Sequence, residues 1–125
     1  MNVNNVVSAV GAADLTGKEY YQVKLTTTGI DIAASGDTPI GTLARGQTKR
    51  EDGVYAGVAV AVQLKAASIH FAVLGATSAA IARGAGLILD SANAGKLVPS
   101  ESSPIARAWD AITGADSAVV QIIYL

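Results

Sequence analysis

The chain carries one phrase twice. Gly29-Ile30-Asp31-Ile32-Ala33-Ala34-Ser35-Gly36-Asp37-Thr38-Pro39-Ile40-Gly41 returns as Gly95-Lys96-Leu97-Val98-Pro99-Ser100-Glu101-Ser102-Ser103-Pro104-Ile105-Ala106, and from Asp31/Lys96 to Ile40/Ile105 the copies run 65 positions apart. Each reads as a turn, a short apolar run, a small polar loop, and Pro-Ile opening a strand. Proline lacks an N–H, so it can only begin a strand or lie on an edge. A strand-like run precedes each copy (Tyr20 to Leu25; Ala85 to Leu89), and a longer apolar one follows (Val54 to Leu64; Ser117 to Leu125). Two related β-units, about 20–64 and 85–125, are expected inside one domain (18–125) behind an N-terminal segment (1–17).

Alternation fills in the strands. Tyr21, Val23 and Leu25 share one face, with Tyr20, Gln22 and Lys24 on the other. Val58, Val60, Val62 and Leu64 alternate with smaller or polar residues, a period-two pattern that puts the bulky set inward. Ile69, Phe71 and Val73 repeat that pattern after the short Lys65-Ala66-Ala67 connection, which predicts a hairpin. Residues 47–53 are the most polar segment and read as a surface loop. Ala79 to Ala82 reads either as a helical turn or as loop, because Gly75, Gly84 and Gly86 crowd it. The final run is apolar on both faces and suits a central or subunit-facing strand. Turn signals every 8–12 residues over eight to ten short strands define an all-β chain.

Composition narrows the function. Of 125 residues, 24 are alanine and only 19 are charged, with a net charge of −1. So sparsely charged a surface favours association. No basic run exceeds Lys49-Arg50, so nothing supplies the phosphate-neutralising stripe of a nucleic-acid binder. There is no cysteine, which excludes disulfides and thiolate metal sites. The longest stretch without Lys, Arg, Asp or Glu is Ala66 to Ala82, with His70 and three hydroxyl residues inside it, a poor membrane span. The first basic residue is Lys18, so a basic signal-peptide lead is missing and use without export is expected. Residues 1–17 read as a frayed terminus or as an arm that orders on a partner by adding a strand to a sheet edge.

Catalytic constellations are not found. His70 is the single histidine, which rules out two- and three-His zinc sites; its place on the minor face of a strand suits a surface or interface. The ten carboxylates are scattered and sit mostly in turns, where they accept nearby backbone N–H groups. Ala94-Gly95-Lys96-Leu97 fails as a phosphate loop, since Asp90 stands where the leading glycine belongs and Leu97 where a hydroxyl would hold magnesium. No G-x-S-x-G occurs. Trp109, alternating with Arg107 onto one face, reads as a core or subunit-interface anchor, with ligand stacking as the alternative; buried interface hot spots favour Trp, Tyr and Arg. No enzymatic activity, cofactor or metal is expected.

The stretch Ile81-Ala82-Arg83-Gly84-Ala85-Gly86-Leu87-Ile88-Leu89-Asp90, followed by Gly95-Lys96-Leu97-Val98 and Ser103-Pro104-Ile105-Ala106-Arg107-Ala108, resembles the small capsid decoration, or head cement, proteins of tailed bacteriophages. Their pattern is a strand, a "d-x-x-G-k-l/v" turn, a "p-I-G-v-a" strand, a Gly-containing loop (here Thr113 to Asp116) and a closing apolar strand (Val119 to Leu125). Ile40-Gly41 keeps the Ile-Gly in the first copy, and the likeness covers Lys18 to Leu125. The resemblance implies a compact β-barrel-like (β-tulip) domain with an extended N-terminal arm. It also implies a homotrimer on the outer capsid surface of the virion, made in the host cytoplasm, that clamps neighbouring capsomers of the major capsid protein. The arm (Val3, Val6, Val7) is then expected to meet the shell, and Arg107, Trp109 and Tyr124 to meet sibling subunits. Neither nucleic acid nor membrane is an expected partner. A small-ligand or carbohydrate-binding β-module is the alternative, with Tyr20, Tyr21 and Tyr55 as its available aromatics.

Overall fold

The computed structural model describes residues 6–13, 15, 17–45, 59–65, 69–75, 80–113 and 117–125. These form ten strands: β1 (Val6–Val10), β2 (Gln22–Thr26), β3 (Gly29–Ile32), β4 (Gly41–Arg45), β5 (Ala59–Leu64), β6 (Ile69–Val73), β7 (Gly86–Leu89), β8 (Leu97–Pro99), β9 (Ala106–Ala108) and β10 (Val119–Tyr124). Among the described residues there is no helix. Val3, Tyr55, Ala79 and the polar 47–53 segment lie outside the described residues.

The strands make two five-stranded antiparallel sheets, ordered β1-β5-β4-β2-β3 and β6-β10-β9-β7-β8. Adding five to each strand number turns the first order into the second. The ladders agree residue by residue. Val62 faces Val7 on one side and Leu43 on the other; Ile122 likewise faces His70 and Ala108. The Ile40 N–H donates to Val23 O (2.8 Å) as the Ile105 N–H donates to Leu87 O (2.9 Å). Tyr20 and Gly84 each take a left-handed φ, 66° and 85°. Each donates its N–H to the counterpart carbonyl, Leu43 O or Ala108 O.

Each half therefore includes a strand, β1 or β6, that precedes the phrase repeated in the sequence. The correspondence also corrects the constant spacing within that phrase. Ile40 matches Ile105 as expected, but the ladders match Ile30 with Leu97, because the loop before Ile40 is two residues longer. A two-residue slip preserves the face a strand presents, so the apolar pattern still lines up.

Each half has its own core built from matching positions. Val23, Ile30, Leu43, Val60 and Val62 pack with Leu15 in the first. Leu87, Leu97, Ala108, Val120 and Ile122 pack with Ile81 in the second. Both sheets curl until their outer strands touch. Gly11 makes a parallel bridge to Ile30, and Leu74 makes one to Leu97. One bridge does not make a ladder, so where the resemblance implies one β-barrel-like domain, the chain forms two rolled, open sheets and no closed barrel among the described residues.

Two further expectations are overturned. β5 and β6 do not form a hairpin: β5 already has β1 and β4 on its two sides, so the chain crosses to the second sheet instead. The faces of β6 are also reversed. His70 and Ala72 are buried, whereas Ile69 and Phe71 are exposed. Likewise Leu25, expected to share the face of Val23, is exposed at the end of β2. β10 does occupy an internal position, between β6 and β9, and buries Val120 and Ile122 while Val119 stays exposed.

The halves meet where the outer face of the first sheet covers the open end of the second. Gly95 is the backbone link: its N–H donates to Ala33 O and its carbonyl accepts the Gln22 N–H, both at 2.8 Å. It has φ +82°, and a Cβ there would fall 2.6 Å from both Ile32 Cγ2 and Tyr21 Cδ2. Gly95→Ala should thus lose about 1–2 kcal/mol for the left-handed backbone and about 1–3 kcal/mol for overpacking. A fall in the urea midpoint at unchanged slope checks this.

Candidate functional site

Among the described residues, no group of three or more His, Cys, Asp or Glu comes together as a metal site would require. Individual carboxylates are engaged locally instead. Asp37 accepts from Lys24 Nζ and the Ala34 N–H, both at 2.8 Å, and these bonds hold its pKa down. Burial pulls Asp90 upward, but bonds from the Asn93 side chain and the Ala92 N–H leave it below the usual range. Glu101 accepts the Gly86 N–H at 2.5 Å and Arg107 Nη1 at 3.1 Å, which lower its pKa. Each carboxylate closes a turn or loop, the role their sequence positions suggest.

The buried polar groups gather at the junction of the halves. His70, expected at a surface or an interface, is fully buried, and its Nδ1 shares a 3.0 Å hydrogen bond with Thr42 Oγ1. The Tyr124 ring meets the imidazole edge-on, with centroids 4.8 Å apart. Its hydroxyl donates to Oε1 of the buried Gln22. Burial pushes the Tyr124 phenol up and the His70 imidazole below its ordinary 6.5. Tyr124, expected at a subunit contact, thus spends its phenol on a contact within the chain. Lys65 Nζ lies 5.6 Å from the centre of its ring.

The other expected contact residues lie on two separate surfaces. Val6 and Val7 are 41% and 40% exposed on β1, an outer strand of the first sheet, with exposed Val10 beyond them. Arg107 and Trp109 stand together on the second half. They line a groove of about 430 Å³ with Arg83, Gly84, Ala108 and Ile123. Trp109 is 45% exposed and so is not a core residue. The Arg107 guanidinium is held by Gly84 O at 2.9 Å and by Glu101. Of the three tyrosines offered for ligand stacking, Tyr55 lies outside the described residues, Tyr20 pairs with Phe71 (5.5 Å between rings), and Tyr21 lies beneath Lys18 and Lys96.

Sequence reasoning missed Gln22, Thr42 and His70 as junction residues. The signal available was a polar side chain beside a core residue in each strand (Gln22 before Val23, Thr42 before Leu43), which looks identical to a solvated face. No protein-family model matches the chain, and no curated protein matches it in sequence.

Two outcomes follow for the junction. Because the folded state holds His70 neutral, its contribution is complete above pH 6.5 and is lost as pH falls toward the lowered folded value. Stability should fall there by up to about 1.4 kcal/mol per pH unit. His70→Gln should flatten the urea-measured profile in that window, since Asp37, Asp90 and Glu101 weaken the fold only near and below their ordinary 3.8 to 4.5. Second, Gln22 Nε2 has no hydrogen-bond partner among the described residues, so Tyr124→Phe would leave the whole amide unsatisfied, at about 1–3 kcal/mol. A double-mutant cycle with Gln22→Met should recover most of that loss.

Proposed function

We propose that this chain is a non-enzymatic capsid decoration protein of a tailed bacteriophage, seated on the outer surface of the head and stabilising contacts between capsomers. The observation that carries the reading is a duplicated all-β fold with apolar side chains exposed on an outer strand and with Asp37, Asp90 and Glu101 engaged by hydrogen bonds within the chain. Such a molecule offers shape and contact surface in place of reactive groups. The sequence pattern of the second half supports the family, and the all-β architecture supports the β-tulip class of domain that the resemblance implies. The partners are the major capsid protein and further copies of the chain, as a homotrimer. Several weak footprints on one assembly raise avidity without new chemistry. The N-terminal segment ahead of β1, with Val3, engages the shell.

One observation favours a second reading, a carbohydrate-binding module: an exposed Trp109 beside Arg107 in a groove offers a stacking face to a sugar.

Co-sedimentation of the purified protein with empty heads of the phage that encodes it separates the two. The decoration reading expects saturable binding that raises the temperature of head disruption, weakened by removing residues 1–5, which leaves β1 in its sheet. Absence of binding, together with quenching of Trp109 fluorescence by a soluble oligosaccharide, would replace it with the second reading.

A further inference from the structure

The contact between the two halves is one-sided, and that leaves half of it unused on each. In the first half, Tyr20, Thr42 and Gln63 receive β6. The Tyr20 ring meets Phe71, Thr42 Oγ1 bonds His70 Nδ1, and Gln63 Nε2 reaches Ile69 O at 3.5 Å. The ladders match these three receiving positions with Gly84, Arg107 and Ile123 of the second half. They match Ile69, His70 and Phe71 of the received strand with Val6, Val7 and Ser8 of β1.

Gly84, Arg107 and Ile123 all line the 430 Å³ groove beside Trp109. The groove is thus the second half's counterpart of the seat that β6 fills on the first. Its chemistry has changed in step with its counterpart strand. Ile123 stands where the seat for β6 has Gln63, and Gly84 leaves open the volume that Tyr20 occupies. The Arg107 guanidinium is drawn aside by Gly84 O and Glu101. On the incoming side, the buried His70 corresponds to Val7, an exposed apolar residue. Apolar Val6 and Val7 are thus matched to a seat in which Ile123 and Trp109 lie beside the Arg83 and Arg107 guanidiniums.

We propose that the groove at Arg107, Trp109 and Ile123 receives β1 of a second copy of this chain, in the arrangement by which the first half receives β6. Each copy then offers β1 at one end and the groove at the other. Such a head-to-tail contact closes into a ring where the rotation allows and otherwise continues as a filament. The inference rests on the internal symmetry of the fold and not on the viral reading; failure to bind heads leaves it standing.

The test uses the full chain, which has no native cysteine. Val7→Cys and Arg107→Cys, prepared separately and each checked for a cooperative melt, are treated with a short bismaleimide alone and as a mixture. The expected result is cross-linked dimer from the mixture and little from either variant alone. Light scattering of the unmodified chain should show assemblies larger than one copy. Val7→Asp should raise the concentration for half-assembly about tenfold or more, equivalent to about 1.4 kcal/mol per contact. An unmodified chain that stays monomeric at every concentration overturns the proposal. So does Val7→Cys coupling best to itself, which would mean that β1 strands meet each other.

Discussion

The packing of the first sheet's outer face against the open end of the second sheet is the contact that makes one molecule of two halves. Each half is roughly 60 residues long, a size at which a lone domain buries only about 60% of its unfolded surface and is marginally stable. The junction adds burial that neither rolled sheet obtains alone. It is closed by polar pairs, Thr42 with His70 and Gln22 with Tyr124, and by two backbone bonds to Gly95. Buried polar pairs are costly if broken and of modest net benefit when made. Their effect here is to specify one docking geometry out of the many that an apolar contact between Ala- and Val-rich faces would tolerate.

Period-two geometry explains why the polar residues stand where they do. Val23 and Leu43 point into the first core, so their neighbours Gln22 and Thr42 must point out of it, toward the second half. On the other side, His70 and Tyr124 lie on the inner face of their sheet but at its open end, where the core has run out. Thus an outer face meets an inner rim. The contact joins unlike surfaces, and the counterpart residues have diverged accordingly: Gly86 and Arg107 for Gln22 and Thr42, Val7 and Leu64 for His70 and Tyr124. The core counterparts have remained apolar, from Val23/Leu87 to Val62/Ile122. Divergence is concentrated where the two halves have different neighbours.

Much of the strand map was legible because its signals are local. Pro39-Ile40 and Pro104-Ile105 mark strand entries, and the turns at Asp90 to Gly95 carry their own hydrogen bonds. The face of β5 was also readable, since Val60 and Val62 are both buried. Alternation failed in β6. It identifies two faces but not which will be covered, and here the smaller pair, His70 and Ala72, is covered, leaving Phe71 outside against Tyr20. The expected hairpin failed for a related reason. A short connection between two strand-like runs looks the same whether the runs pair or the chain passes to a second sheet. Trp109 shows the limit for the candidate surface, because its size suggested burial while it stands 45% exposed beside the groove.

By itself, the sequence determined the strands, the turns and the repeated unit, since backbone periodicity and turn chemistry act over a few residues. Only the tertiary structure decided which faces meet. That depends on groups brought together from 28 residues apart at Thr42 and His70, and from 102 apart at Gln22 and Tyr124. No local pattern encodes such partners; they are selected by the fit of one rolled sheet onto the other, where most polar groups excluded from water find a complement.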